Sequence, residues 1–315
     1  MAVEVPPGPP RVQIQTQAGC NGRCVFCPNE GTIQARLAQG KMSADLFHKI
    51  VDELGQTPPR RVGLYLMNEP LIDKRLADFV RYVTDRIPTT KTQIITNGTL
   101  LTPERAEALL DAGIQQIKVS LQSIHSETNR QIMGFDCEEV IENCFALQKL
   151  LERRRANHAR ASARVDFRVS MIVTRLNMDE IDGTRAFWRK HGIRLVTSAL
   201  ENRGGNIADA AELNPHEMKS RSDCTRPCRD FMILYNGDVA LCCVDWYRTA
   251  IMGNVARQTI REVWHGPRFQ HVRQALRDGA SDQLPRICRD CAESALPDYH
   301  RRGFRGFLSR LLACA

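Results

Sequence analysis

Short apolar runs alternate with longer amphipathic stretches over roughly the first two-thirds of the chain. Val12–Gln17, Val62–Met67, Thr92–Thr96, Gln115–Leu121, Val165–Val173 and Arg194–Ala199 are rich in Val, Ile and Leu and bounded by turn residues, which predicts six strands. Between them the apolar positions recur at helical spacing. Ser43–Leu54 opens on a Ser cap and carries Leu46, Ile50, Val51 and Leu54 on one face. Leu76–Arg86, Pro103–Ala112, Glu138–Arg153 and a segment near Asp179–His191 follow the same pattern. Repeated strand–helix units predict an α/β fold with a parallel sheet and right-handed crossovers. Six units suit a partial barrel; an open doubly wound sheet has a similar pattern.

After residue 212 that rhythm stops. Met232–Tyr235, the turn Asn236-Gly237-Asp238 and Val239–Leu241 predict a hairpin, and a helix is expected over Thr259–Leu276. Gly306–Ala315 has the pattern of a short amphipathic helix. The chain is thus expected to divide into a tail at 1–10, an α/β barrel at 11–212, a small Cys-rich α+β domain at 213–300 and a second tail at 301–315.

Composition narrows the setting. At 315 residues and 43% hydrophobic the chain can bury a sizeable core. Met1–Pro10 is Pro-rich and lacks the apolar segment of a signal peptide, and no run approaches the roughly 18 apolar residues of a membrane span. A cytoplasmic protein without membrane contact is expected. The net charge is +8, but the basic stretch Glu152–Arg160 has no interleaved aromatics and reads as solvated surface, so no nucleic acid is expected. Twelve cysteines in such a chain then point to metal clusters rather than disulfides.

Cys20, Cys24 and Cys27 form Cys-x3-Cys-x2-Cys directly after the first strand. Three thiolates on one short loop can hold three irons of a [4Fe–4S] cube and leave the fourth open to chemistry. Zinc usually takes paired Cys-x2-Cys knuckles instead. The spacing resembles the signature of the radical S-adenosylmethionine (SAM) superfamily. The resemblance implies a partial (β/α)6 TIM-like barrel. It also implies SAM chelated to the open iron, reductive cleavage to a 5′-deoxyadenosyl radical, and a flavodoxin- or ferredoxin-type electron donor.

Barrels and open sheets alike place their sites at the C-terminal ends of the strands. Asn68-Glu69-Pro70 follows the second strand and resembles the family's Gly-Gly-Glu-Pro motif, with Met67 and Asn68 in place of the glycines; it is implied to meet the SAM amino group. Asn97 after the third strand, Ser120 and Gln122 at the end of the fourth, and Arg168 and Ser170 on the fifth resemble further SAM contacts. An ordinary strand-end turn at Asn97 and a structural ion pair for Arg168 are the plain alternatives. Phe26 takes the place of an aromatic that lies near the adenine in the family, or packs in the core. Arg203 and Asn206, in Asn202-Arg203-Gly204-Gly205-Asn206 after the sixth strand, are candidate substrate contacts.

The second cysteine group resembles the SPASM/Twitch extension of these enzymes, on Cys224-Thr225-Arg226-Pro227, Gly237-x4-Cys242, Gly253-Asn254 and Cys288-x2-Cys291. This implies one auxiliary [4Fe–4S] cluster on Cys224, Cys242, Cys288 and Cys291. Cys228 can replace Cys224, Cys243 can replace Cys242, and a zinc ribbon is the rival. Cys137 and Cys144 are expected in the core. The compact chain resembles enzymes that modify sugars, aminocyclitols or nucleosides in antibiotic pathways by oxidation, decarboxylation or epimerisation. The alternatives are a maturase acting on a peptide or protein side chain and a non-catalytic metal scaffold.

Overall fold

The computed structural model describes residues 5–157, 165–220 and 224–294. Six parallel strands lie side by side in chain order: β1 (Arg11–Ile14), β2 (Arg61–Gly63), β3 (Lys91–Thr96), β4 (Gln116–Ser120), β5 (Asp166–Ile172) and β6 (Arg194–Ser198). A doubly wound sheet reverses direction at a switch point. Strictly sequential order instead puts the crossover helices on one face, as in the partial barrel.

The helices between the strands are Ala44–Leu54, Leu76–Arg86, Pro103–Asp111, Ser126–Met133 with Glu138–Asn157, and Ile181–Lys190. Local chemistry sets their starts. The Ser43 hydroxyl accepts from the Leu46 N–H, and Thr102 does the same for Arg105 ahead of Pro103. Phe47 and Phe79 stack at 4.1 Å between the first two of these helices.

The two faces of the sheet differ in chemistry. Val12, Ile14, Val62, Leu64, Ile94, Ile117 and Val119 are sealed in the core. The alternate positions face the barrel interior and are mostly polar: Gln13 on β1 and Gln15 just past its end, Arg61 on β2, Gln93 on β3, Gln116, Lys118 and Ser120 on β4, and Asp166, Arg168 and Ser170 on β5.

The C-terminal region continues the same sheet. β7 (Met218–Ser220) pairs with β11 (Ala292–Ser294) in a separate ribbon. Between them, β8 (Asp230–Ile233), β9 (Asp238–Ala240) and β10 (Ile251–Asn254) form an antiparallel meander, and β8 runs parallel to β1 in the register Arg11↔Asp230 to Ile14↔Ile233. Arg11 donates to Asp230 at 2.6 Å across this junction. The expected hairpin is present, with Gly237 at φ +87° in its turn. The helix expected over Thr259–Leu276 is instead two helices, Ile260–Trp264 and Pro267–Asp278. Pro267 cannot donate to the helical ladder, and Gly266 caps the second helix in extended geometry. The segment Gly306–Ala315, with Cys314, lies outside the described residues.

Candidate active site

The Cys20–Cys27 loop leaves the C-terminal end of β1 and is pinned on two sides. Arg23 and Val25 donate backbone N–H groups to the carbonyls of Met133 and Ile132 at 3.0 and 2.9 Å. Glu69 donates its backbone N–H to the Gly19 carbonyl at 2.9 Å, where Gly19 takes φ +100°. Inside the loop Gly22 donates to Cys20 Sγ at 3.4 Å and Cys27 to the Cys24 carbonyl at 2.9 Å. Burial raises the thiol of Cys20 to about 11 and pushes Cys24 and Cys27 up as well. Each of Cys20 and Cys24 is further raised by its cysteine neighbours. Three half-hidden sulfurs that repel one another as thiolates suit a cationic metal centre, which supplies the missing positive charge.

Around this loop the strand-end residues gather, but several are occupied by the protein itself. The Glu69 carboxylate, 2% exposed, accepts from Thr96 Oγ1 at 2.7 Å, from the Leu71 N–H at 3.0 Å and from the Asn97 N–H at 2.7 Å. Burial pushes it up despite these bonds. It braces the ends of β2 and β3, with Pro70 opening the turn that follows. Asn68 Oδ1 accepts from the Leu66 N–H at 2.9 Å, and its buried Nδ2 is unpaired among the described residues. Asn97 Nδ2 bonds Asn21 Oδ1 at 2.7 Å and reaches Cys20 Sγ at 4.0 Å.

Ser120 and Ser170 face each other across β4 and β5 at 3.4 Å, on the barrel side. Gln122 is turned away: its Oε1 accepts from the Ile172 N–H at 2.7 Å. Arg168 donates to Asp166 at 2.6 Å, the ion pair that the sequence left open. Phe26 packs with Ile132, Met133 and Leu200 beneath the loop.

The loop after β6 faces both centres. Arg203 takes φ +52° and lies near enough to lower the thiols of Cys24 and Cys27 and to reach Glu201 at 3.6 Å. Asn206 donates to the Val244 carbonyl at 3.1 Å and is structural. Gly204 sits so close to Ile287 that a Cβ would lie 2.4 Å from its Cγ1.

Cys224, Cys242, Cys288 and Cys291 line one small pocket, with Arg226, Leu241, Val244 and Ile287 around them. Neither Cys228 nor Cys243 lines it. Burial, with the neighbouring Cys224 and Cys291, raises Cys288 to about 12. Arg226 NH1 lies 3.5 Å from Cys242 Sγ and its other nitrogen pairs with Glu201. Four thiols converging on one pocket match the four ligands of a closed cluster. Sequence reasoning missed Glu201, Arg226, Tyr65 and Lys118; only Arg226 had a local signal, the motif that carries Cys224.

Fold and site together define a parallel-barrel protein with one group of three cysteines at the end of β1 and a second group of four around one pocket. A family model of the radical SAM superfamily matches residues 14–159, and one described as an iron–sulfur cluster-binding domain, SPASM, matches residues 224–292. The chain belongs to the radical SAM superfamily, as an enzyme with a C-terminal SPASM domain, and these two domains imply [4Fe–4S] clusters and SAM as its cofactors. It is 25% identical over 285 residues to an S-adenosyl-L-methionine-dependent 2-deoxy-scyllo-inosamine dehydrogenase of Niallia circulans, covering 89% of this chain and 91% of the relative. The structure of BtrN in complex with AdoMet and 2-DOIA superposes with a TM-score of 0.59 at 22% identity, covering 90% and 92% of the two chains. Streptococcus suis SuiB bound to precursor peptide SuiA has a TM-score of 0.64 at 15% identity, over 84% of this chain and 66% of that one.

Proposed function

We propose that the protein oxidises a secondary alcohol of a small polyhydroxylated substrate, a sugar, aminocyclitol or nucleoside, inside the barrel. The observation that carries this reading is the alignment with an aminocyclitol dehydrogenase over 89% of this chain and 91% of the relative, barrel and cysteine-rich extension together. Cys20, Cys24 and Cys27 hold the SAM-binding cluster, and Cys224, Cys242, Cys288 and Cys291 hold a single auxiliary cluster. When bound, these groups supply one-electron cleavage of SAM and an acceptor for the substrate's electron.

The chain's own part is positional. Asn68, Glu69 and Pro70 set the loop that meets the SAM ammonium through backbone carbonyls, since the Glu69 carboxylate is engaged elsewhere. Asn97, Ser120, Ser170 and Arg168 border the SAM space; Gln122 fixes β4 to β5, and Phe26 closes the floor beneath the cysteine loop. Arg203 overlooks the substrate from the mouth. A flavodoxin- or ferredoxin-type protein delivers the electron in the cytoplasm. No helix among the described residues is long and apolar enough to cross a membrane.

Anaerobic reconstitution tests this directly. Wild type should hold about eight irons and the Cys20→Ala/Cys24→Ala/Cys27→Ala variant about four. Under dithionite, wild type alone should release 5′-deoxyadenosine, and a polyol or aminocyclitol panel should yield a ketone in step with it. Nucleoside release that responds to peptides and to no polyol would overturn the substrate reading.

A further inference from the structure

Deeper in the barrel than Ser120 and Ser170 lies a group of charges around Lys118. Lys118 projects from the middle of β4 to the interior face, two residues before Ser120. Its register partner on β5 is Arg168. Arg61, at the start of β2, and Arg203, from the loop after β6, both act on it electrostatically. Two of these cations are balanced: Arg168 by Asp166, which also accepts from Gln116 at 2.8 Å, and Arg203 by Glu201. Lys118 and Arg61 have no hydrogen-bond or ion-pair partner among the described residues. The interior therefore carries a surplus of positive charge on its β2 and β4 sides.

The β1–β3 wall has the opposite character. Gln13 Nε2 and Gln93 Nε2 both donate to Tyr65 Oη, at 2.9 and 3.1 Å. That leaves Gln13 Oε1 and Gln93 Oε1 buried without a partner among the described residues, together with Gln15 Oε1 just past the end of β1. Burial raises the Tyr65 phenol to about 12, so it keeps its proton, and with both bonds already accepted that proton points onward as a donor. Gln15 is 2% exposed and Gln93 5%. Orphaned amide oxygens at this depth are costly unless a ligand completes them.

We infer that the barrel interior takes a polyol bearing a phosphate group, its oxyanion held by Lys118, with Arg61 adding positive charge from the start of β2, and its hydroxyls by the Gln13, Tyr65 and Gln93 wall. The inference rests on the reading above that the interior is the substrate site, and narrows it: an unmodified aminocyclitol brings an ammonium into a positive field, whereas a phosphate dianion matches two unpaired cations. Ser120 and Ser170, proposed above to border the SAM space, lie a layer nearer the strand ends than Lys118.

The test is calorimetric titration of reconstituted holoenzyme saturated with SAM, using inorganic phosphate, a hexose phosphate, the parent hexose and a hexosamine. The hexose phosphate should bind at least about tenfold more tightly than the hexose in wild type. That advantage should fall to about twofold or less in Lys118→Met and be largely kept in Lys118→Arg. Inorganic phosphate should compete with the ester. Equal binding of ester and hexose by wild type, a preference for the hexosamine, or an undiminished advantage in Lys118→Met would each overturn the proposal. Iron content and SAM-derived 5′-deoxyadenosine, measured on the same samples, report folding and radical chemistry separately. Loss of nucleoside formation with ester binding intact would sink the dehydrogenase reading and leave the anion site standing.

Discussion

Glu69 takes three donors from two segments on one carboxylate, so its replacement is felt at two strand ends together. In Glu69→Gln one oxygen becomes an amide that faces either the Asn97 N–H or the Thr96 and Leu71 donors. Two donors facing each other in a buried site cost about 1–3 kcal/mol. Thermal unfolding of the apoprotein should register that loss, with weaker SAM binding beside it. Lys118 gives a pH signature. Burial first, then Arg168, Arg203 and Arg61, lowers it from 10.5 to about 8. Between those two values the unfolded chain holds the extra proton, so folding stability gains from Lys118 as pH rises through this window. Oxyanion affinity runs the other way. Asp166 is committed to Arg168 and Tyr65 stays protonated, so the loss of the Lys118 charge is what alkali changes there. Affinity for the hexose phosphate should fall by up to about tenfold from pH 7 to pH 9 in wild type and stay nearly flat in Lys118→Arg.

At the level of elements, the loop after β6 joins the two centres. Asn202 donates to the Asp290 carbonyl at 2.6 Å and accepts from the Ala292 N–H at 2.9 Å, which ties the barrel's last loop to the Cys288–Cys291 turn. Gly204 lets the two backbones touch, at φ +68°. Gly204→Ala adds a Cβ 2.9 Å from the Ile287 carbonyl, in a conformation that costs an L-residue about 1–2 kcal/mol. The expected outcome is loss of auxiliary iron with the three-cysteine centre retained, read from iron content and electron paramagnetic resonance. The sequence showed Gly204 as a sign of close approach, though not what approaches. The barrel strands and helices were legible because their apolar positions keep strict periods of two and about 3.6. The three-cysteine loop was legible because its ligands are consecutive. Lys118 and Tyr65 were not: a lone polar residue on a half-polar strand becomes informative only when the neighbouring strands place Arg168 and Gln93 beside it. The break at Gly266-Pro267 was written in the sequence, and the apolar periodicity on either side concealed it.

Across the whole molecule, the barrel and the cysteine-rich region are one sheet rather than two modules in contact. β1 has β2 on one side and β8 on the other, and a chain of charges runs from Arg203 through Glu201 to Arg226 at Cys242. A fragment ending at residue 213 leaves the β8 side of β1 unpaired and uncovers Val12 and Ile14, which pack with Phe231 and Ile233 in the intact core. Unpaired strand edges invite aggregation. Such a fragment should be recovered mainly in the insoluble fraction, whereas the full chain stays in solution.

The pairing of β1 with β8 also bears on how the enzyme is made. Arg11 meets Asp230 only after another 219 residues have been added. At roughly 5–20 residues per second that is a delay of about 10–45 s on the ribosome. The cysteine loop hangs directly from β1, whose β8 side stays unpaired through this interval. The expected consequence is that iron enters at Cys20, Cys24 and Cys27 only in the completed chain. Ribosome-stalled chains ending before residue 230 should expose the loop to protease and take up no iron, which makes cluster delivery an event after synthesis rather than during it.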